Sequence, residues 1–251
     1  MVILKSRDEI EKIRSACRIV ASVLSELQAQ VKPGRTTAEL DRFAEKMILK
    51  LEAKPAFKGY RGFPATLCAS VNNEVVHGIP SQRVLREGDI IGLDLGAIVD
   101  GYYGDAAITV AVGSIPPETQ RLIQVTEEAL NLGIQQMEAG KRLSDISHAI
   151  QEHVEKAGFS VVTDFVGHGI GRNLHEDPQI PNFGEPGQGL RLKPGMTLAI
   201  EPMVNMGRGA VKVLEDNWTA VTQDGSLSAH FEHTVLVGEG GPEILTRMSS
   251  S

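Results

Sequence analysis

The chain has 251 residues, of which 41% are hydrophobic and 23% are charged, as in an ordinary globular protein. Its formal net charge of -7 disfavours nonspecific binding to nucleic acid or to an anionic membrane. The sequence has neither a secretion leader nor an apolar run of about 18 residues, so we expect no membrane span. The two cysteines, Cys17 and Cys68, are therefore expected to be reduced thiols of a cytoplasmic protein.

Four amphipathic helices are predicted, in two pairs. Apolar residues recur at three- and four-residue steps from Asp8 to about Leu27, and Thr36 with Glu39 forms a capping box that opens a second helix. A third helix is predicted from Glu118 to Met137. The apolar positions of the second helix recur at a constant offset of 106 in a fourth helix, at Ile146, Ala149, Ile150, His153, Val154 and Ala157.

The strands repeat in the same way. The segment Glu87–Asp94 resembles Pro194–Glu201, and each ends in an acid that follows a glycine by six residues. The repeat predicts that residues 1–251 form one domain with two halves, about 1–113 and 114–251, whose terminal acids occupy equivalent positions.

Helices followed by strands in each half indicate an α+β fold with antiparallel hairpins. Asp100-Gly101 is the strongest hairpin turn, since both residues tolerate positive φ. If the halves pack about a pseudo-twofold axis, their acids face one another in a cleft. The segment 167–195, rich in glycine and proline, is predicted to be an ordered loop at the rim.

Four carboxylates and one imidazole lie in strand-like or glycine-flanked segments: Asp94, Asp105, His168, Glu201 and Glu232. Carboxylates side by side in an apolar cleft repel one another, and divalent cations remove that penalty. Their charge of about -4 is balanced by two divalent ions, which can activate water. An oxygen-rich set with one imidazole favours Mn²⁺, Fe²⁺ or Co²⁺, and also accommodates Zn²⁺. The sequence therefore predicts a metal-dependent hydrolase.

Each of these residues also has a structural interpretation. An aspartate near a hairpin is often a turn or capping residue, which applies to Asp105, and Glu232 could form an ion pair across strands. A buried, unpaired glutamate is rare, so Glu201 is harder to explain structurally. His168 lies between two glycines, so few neighbouring side chains would pack against it, which favours a ligand role over a core role. Taken together, the five favour a metal site.

Two further histidines, His77 and His175, lie beside turns and suit the stabilisation of a developing oxyanion, although each alone is more often structural. His230 and His233 lie near Glu232, and neither is expected to be a metal ligand. His233 should point to the opposite face of its strand.

These segments resemble the bacterial-type, type I methionine aminopeptidases over essentially the whole chain. The landmarks are GFPATLCASVNNEVVHGIP (62–80), GDIIGLDLGAIVDGYYGDAAIT (88–109), GHGIGRNLHEDPQIPNFG (167–184), TLAIEPMVN (197–205) and SLSAHFEHTVLV (226–237). The resemblance implies the pseudo-twofold "pita-bread" fold, a mainly antiparallel curved sheet with helices packed on its outer face.

The resemblance also assigns roles. It makes the same five residues ligands of two divalent metal ions, with Asp94 terminal and with Asp105 and Glu232 bridging. Glu201 would also accept the proton of the attacking water, and His77 and His175 would contact the peptide. The methionine pocket would comprise Tyr60, Phe63, Cys68 and Trp218; without the resemblance, these residues would be assigned to ordinary core packing. Leu174 departs from the aromatic residue of many relatives, which changes the expected pocket wall.

The implied activity is removal of the initiator methionine from nascent chains, by a cytoplasmic monomer for which a ribosome contact is plausible but has no motif. We find neither the amino-terminal extension rich in Cys and His of eukaryotic cytosolic type I enzymes nor the large insertion of type II enzymes, and therefore expect a minimal bacterial or organellar form. Two alternatives stay open. A proline-directed peptidase of the same fold usually carries an extra amino-terminal domain, and a catalytically inactive binding relative typically loses ligands.

Overall fold

The computed structural model describes residues 2–247. In this range the four helices are α1 Arg7–Gln30, α2 Thr37–Lys50, α3 Pro117–Gln135 and α4 Leu143–Lys156. They begin and end close to where the apolar periodicity predicts. The predicted capping box is present on α2, where the hydroxyl of Thr36 accepts from the Glu39 amide and the Glu39 carboxylate accepts from the Thr36 amide.

The strands between residues 2 and 247 are β1 Lys54–Pro55, β2 Leu67–Val71, β3 Glu74–Val76, β4 Ile90–Val99, β5 Tyr102–Ala111, β6 Ser160–Val161, β7 Gly167–Gly169, β8 Glu176–Ile180, β9 Thr197–Ile200, β10 Met203–Asn205, β11 Val211–Val213, β12 Ala220–Thr222, β13 Ser228–His230, β14 Glu232–Gly238 and β15 Gly241–Ile244. The main antiparallel sheet has the order β1-β4-β5-β14-β9-β7-β8, with β2 also on β4 and β15 on β14. Two three-stranded sheets, β13-β10-β6 and β11-β12-β3, flank it.

The central hairpin joins β4 to β5 at the predicted turn. Asp100 and Gly101 have φ angles of 49° and 78°, as a two-residue turn with two positive φ angles requires. Helix α1 crosses β5 so closely that a Cβ atom on Gly104 would lie 2.6 Å from the Cys17 amide nitrogen. Only glycine permits this approach, which brings the helix directly onto the sheet.

The two faces of the main sheet have different environments. Alternate residues such as Leu93, Ile108 and Leu198 are buried in the core with apolar residues of all four helices. The intervening residues point the other way, because successive side chains of a strand alternate between faces. The helices therefore cover one face of this curved α+β sheet, and the predicted acids lie on the other, as expected.

The predicted loop at 167–195 was wrong in part. Gly167–Gly169 and Glu176–Ile180 are strands of the main sheet. Gly167 permits this because a side chain there would collide with the Ala199 carbonyl oxygen of the neighbouring strand. His168 is therefore held by a sheet rather than by a loop. Among residues 2–247, no helix combines the length and apolarity needed to cross a bilayer.

Candidate metal centre

The strand register places the acids in two adjacent rows on the open face of the sheet. In the first row Cys68 faces Asp94, Asp94 faces Ala107, and Ala107 faces Glu232. Facing residues of antiparallel strands project to the same side, so Asp94 and Glu232 share this face. The small side chain of Ala107 lies between them and leaves space above the sheet.

The second row lies two residues along the strands. Asp105 faces Gly96 on one side, and on the other its backbone amide and carbonyl bond the Thr234 hydroxyl at 3.2 and 2.8 Å. Thr234 in turn faces Ala199, and Ala199 faces His168. Asp94 and Asp105 are thus diagonal neighbours on one face rather than directly opposite.

Three potential ligands converge at the centre. The side chains of Asp105, His168 and Glu232 each offer an atom, and these atoms lie within 4.8 Å of one another. Glu201 directly follows β9, and its Oε1 lies 3.5 Å from His168 Nε2. Together with Asp94, all five predicted residues line one cavity.

The donor atoms fit divalent cations. Asp94 Oδ1, Asp105 Oδ1 and Glu232 Oε1 are fully buried, and none accepts a hydrogen bond from the residues that the structure describes. Such an arrangement is costly unless a cation or a proton compensates the charge. Because three carboxylate oxygens without donors point into the same cavity as an imidazole, the residues present suit the metal that the sequence predicts.

The electrostatics agree with this interpretation. Burial raises the pKa of Asp94 from 3.8 to about 7. Burial also raises the pKa of Asp105, Glu201 and Glu232 well above the ordinary values, and the neighbouring carboxylates raise them further. Without metal these groups hold protons to higher pH than exposed carboxyls do, so metal binding displaces protons.

Without metal, the free energy of unfolding is expected to fall as pH rises above about 6.5. The folded chain holds carboxyl protons there that the unfolded chain has already lost, because the pKa values are raised by folding. Histidines such as His77 and His168, whose pKa values fall from 6.5 to about 4 and about 3, act oppositely, but this contribution fades above that pH because the unfolded chain then loses its remaining imidazole protons. Urea unfolding between about pH 6.5 and 8.5, with chelator or with Mn²⁺, measures this slope. Metal-free stability that rises over this range would contradict the prediction, and bound Mn²⁺ should reverse or flatten the slope.

The two histidines predicted to contact the peptide also line the cavity. His175 lies with its ring centroid 4.3 Å from that of His168, and its Nδ1 is 2.8 Å from the Tyr60 hydroxyl. Burial lowers the pKa of His175, and the Arg61 cation lowers it further. His77 has a φ of 60°, which is uncommon for a residue with a side chain and is frequent at functional sites.

The remaining wall of the cavity is apolar. Phe63, Cys68 and Leu174 are buried in one cluster, with Tyr60 and Trp218 packed against it. The rings of Phe63 and Trp218 meet edge to face at 5.1 Å between centroids. The four predicted pocket residues are therefore together, and Leu174 forms part of the same wall.

Some neighbours of the site are not predicted by the sequence. Phe57 and Arg61 line the cavity but carry no motif, and only their proximity to Tyr60 and Phe63 in the sequence could have suggested them. His230 is buried with Nε2 3.7 Å from Glu201 Oε2, closer to the acids than the sequence indicated. His233 points away as predicted, since its Nδ1 contacts the Thr246 hydroxyl at 2.9 Å.

Comparison with known proteins agrees with this geometry. The model of metallopeptidase family M24 matches residues 11–239. The chain is 56% identical to methionine aminopeptidase 1 of Bacillus subtilis, over 99% of this chain and 100% of that protein. It is similar to the crystal structure of a methionine aminopeptidase from Thermotoga maritima, with a TM-score of 0.97, 52% identity and coverage of 98% and 100%. A prolidase from Pyrococcus furiosus has a TM-score of 0.80 at 24% identity, over 99% of this chain and 66% of that one, which shows a shared fold alone.

Proposed function

The chain belongs to metallopeptidase family M24, among its methionine aminopeptidases, and we propose that it cleaves the N-terminal methionyl bond with two divalent metal ions. The observation that carries the proposal is the convergence of Asp105, His168 and Glu232 within 4.8 Å, together with buried carboxylate oxygens that lack donors. When bound, the ions lower the pKa of water and polarise the peptide carbonyl.

The sheet order supports distinct roles for the ligands. Asp105 and Glu232 lie on β5 and β14, the two adjacent central strands, and would be the residues that hold both ions. Asp94 on β4 lies to one side of this pair, whereas His168 and Glu201 lie to the other. Each outer group would then complete the ligands of one ion, which accounts for five side chains around two ions.

Glu201 is also the proposed proton acceptor. Its carboxylate lies within 4 Å of two imidazoles, at 3.5 Å from His168 Nε2 and 3.7 Å from His230 Nε2. It also lines the cavity beside the other ligands, where water that the ions would activate must lie. A carboxylate in that place can take a proton from water and return it to the departing amine.

His175 and His77 are the proposed hydrogen-bond donors to the developing oxyanion. Burial lowers both pKa values, so the rings are neutral at neutral pH. A Tyr60 hydroxyl that donates to His175 Nδ1 leaves the proton of the ring on Nε2, which can then donate to the peptide. Donors held in place before the reaction stabilise charge without reorganisation.

The apolar part of the cavity suits a methionine side chain. Cys68 and Phe63 are buried there, and Trp218 packs against the Phe63 ring. A flexible thioether makes favourable contacts with the edges of aromatic rings. We assign Tyr60, Phe63, Cys68 and Trp218 to this pocket, with Leu174 shaping its wall.

The metal identity, the cellular location and the oligomeric state are proposed in less detail than the roles of the residues. The donor set accepts Mn²⁺, Fe²⁺, Co²⁺ or Zn²⁺. We propose that the chain acts as a cytoplasmic monomer on nascent chains, with ribosome contact as one route of delivery. Residues 1–251 would form a single catalytic domain with repeats at about 1–113 and 114–251. The matching bridges Thr36–Val84 and Arg142–Arg191 support this duplication.

The proposal is tested by comparing peptides that differ only in their first residues. Met-Ala-Ser is expected to be cleaved about 10- to 200-fold better than Leu-Ala-Ser, as judged by kcat/KM, which is the usual range for one apolar shape difference. N-acetylated Met-Ala-Ser serves as the control and should not be cleaved, since an aminopeptidase requires the free amine. Release of the first residue is followed by chromatography.

The same assay separates the proline-directed alternative. That alternative predicts that Ala-Pro and Met-Pro peptides are the best substrates, whichever residue comes first. A preference for Xaa-Pro over Met-Ala would contradict the proposed specificity, even if the metal site were correct.

A further inference from the structure

A buried ion pair outside the metal centre joins the amino-terminal segment to the loop that carries His175. Lys5 Nζ lies 2.7 Å from Glu176 Oε2, and the two side chains are only 4% and 8% exposed. Glu176 directly follows His175 in the chain. Neither charged residue faces the cavity that holds the acids, and the proposed reaction uses neither of them.

Both groups have further partners that fix their positions. The second oxygen of Glu176 accepts from the Asn173 amide at 3.1 Å, which closes the loop around His175. Lys5 Nζ also donates to the Ile3 carbonyl at 3.1 Å, and the Lys5 amide donates to the Gly195 carbonyl at 2.8 Å. The lysine is therefore held by the body of the protein, and the glutamate is the first residue of β8, where the loop ends.

Gly171 shows how closely the two parts meet. A Cβ atom added there would meet both Lys5 Cε and Glu176 Oε1, so the loop passes directly over the ion pair. On its other side, the Gly171 carbonyl accepts from the Tyr103 amide of β5 at 2.9 Å. The backbone of the loop is thus anchored at both ends, by this bond and by the pairing of Gly169 with Glu176. The Lys5–Glu176 pair fixes the Glu176 side chain, which closes the turn at the Asn173 amide.

Stability alone explains this pair poorly. Removing two charges from water is costly, and apolar residues of equal volume often give a protein the same stability as a buried ion pair. A fixed geometry is a better explanation, because a charged pair with additional hydrogen bonds accepts few arrangements. The side chain that this geometry fixes is His175, whose Nδ1 must remain 2.8 Å from the Tyr60 hydroxyl.

We propose that Lys5, through its buried ion pair with Glu176, is a positioning residue that holds His175 in its catalytic orientation. The proposal rests on the role proposed above for His175. Under this proposal the amino-terminal segment contributes to catalysis, although Lys5 contacts neither the metal ligands nor the peptide.

The test is a double-mutant cycle between Lys5→Met and His175→Ala. Lys5→Met is expected to lower kcat/KM about tenfold or more in the otherwise unchanged enzyme, mainly through kcat, since small displacements of a catalytic group are costly. With His175→Ala already present, Lys5→Met should lower it less than about twofold, because a residue that acts through His175 has nothing left to position.

The chain offers a matched control and a conservative rescue. Arg172 on the same loop forms an exposed ion pair with Glu9 at 3.3 Å, and Arg172→Gln should change kcat/KM less than about twofold. Lys5→Arg keeps the charge and should recover most of the activity. Glu176→Gln keeps the shape of the side chain and removes its charge. It replaces Lys5→Met in the double-mutant cycle if Lys5→Met folds poorly.

Two readouts are independent of turnover. Titration calorimetry with Mn²⁺ should give the Lys5→Met variant the same affinity as the unchanged protein within about twofold, since the ligands lie on other strands. Hydrogen exchange of the amides of residues 171–176 should accelerate. Equal losses in both His175 backgrounds, no loss at all, or a loss of Mn²⁺ affinity would each overturn the proposal. Unchanged activity of His175→Ala alone would instead refute the role of His175 and leave the metal proposal standing.

Discussion

Chelation of divalent metal is expected to abolish hydrolysis of Met-Ala-Ser, and added Mn²⁺ or Co²⁺ should restore it. The reason is the composition of the site, in which Asp94, Asp105 and Glu232 present buried oxygens without donors. Without a cation, their raised pKa values favour the protonated carboxyls, and nothing lowers the pKa of water in the site. The loss should reach about 10³-fold or more in kcat/KM, since a catalytic ion contributes several kcal/mol to the transition state.

The chelation assay needs two controls. Chelator saturated with the metal should leave the activity intact, which separates metal removal from direct inhibition. Circular dichroism should report a folded chain after chelation, because the acids can bind protons in place of the ions. Full activity of a metal-free protein, verified by elemental analysis, would refute the metal-dependent mechanism and favour another catalytic arrangement.

The second large effect is expected for Asp105→Asn. This change removes one charge from the centre of the site while it preserves the size of the side chain. Asp105 lies on β5, between the strands of Asp94 and Glu232, so the loss of a bridging carboxylate should weaken the binding of both ions. We expect kcat/KM to fall about 10³-fold, with loss of at least one bound ion.

The matched control is Asp100→Asn in the same hairpin. Asp100 is exposed and has a φ of 49°, a conformation that asparagine also adopts readily. Asp100→Asn is the same substitution as Asp105→Asn, five residues earlier in the chain. Its kcat/KM and metal content should remain within about twofold of those of the unchanged protein. Full activity in Asp105→Asn, or an equal loss in Asp100→Asn, would contradict the bridging role.

Much of this architecture can be predicted from local sequence. The helices have strong periodicity and the capping box at Thr36, and the Asp100-Gly101 turn has the conformation that its residue types require. The five proposed ligands were also identifiable, because their donor chemistry is unusual in apolar strands and their surroundings resemble a known family. Local signals of this kind do not depend on which segments meet in space.

Register and long-range contacts were not predictable in this way. The sequence alone allowed Asp94 and Asp105 to face one another, whereas the strand pairing places them diagonally. A register shift of two residues keeps every side chain on the same face of the sheet, so the apolar alternation of the sequence does not reveal it. Strand β7 has only three residues, too few to show alternation. The Lys5–Glu176 pair joins residues 171 apart, and nothing near either residue predicts its partner.

Two divalent ions are expected on the face formed by Asp94, Asp105, His168, Glu201 and Glu232. The most direct measurement is a crystal structure of the Mn²⁺-loaded protein, with anomalous diffraction recorded at the manganese absorption edge. We predict two anomalous peaks among these five side chains, with Asp105 and Glu232 contacting both. No peak there, a single peak, or an ion bound elsewhere with these carboxylates unligated would contradict the claim.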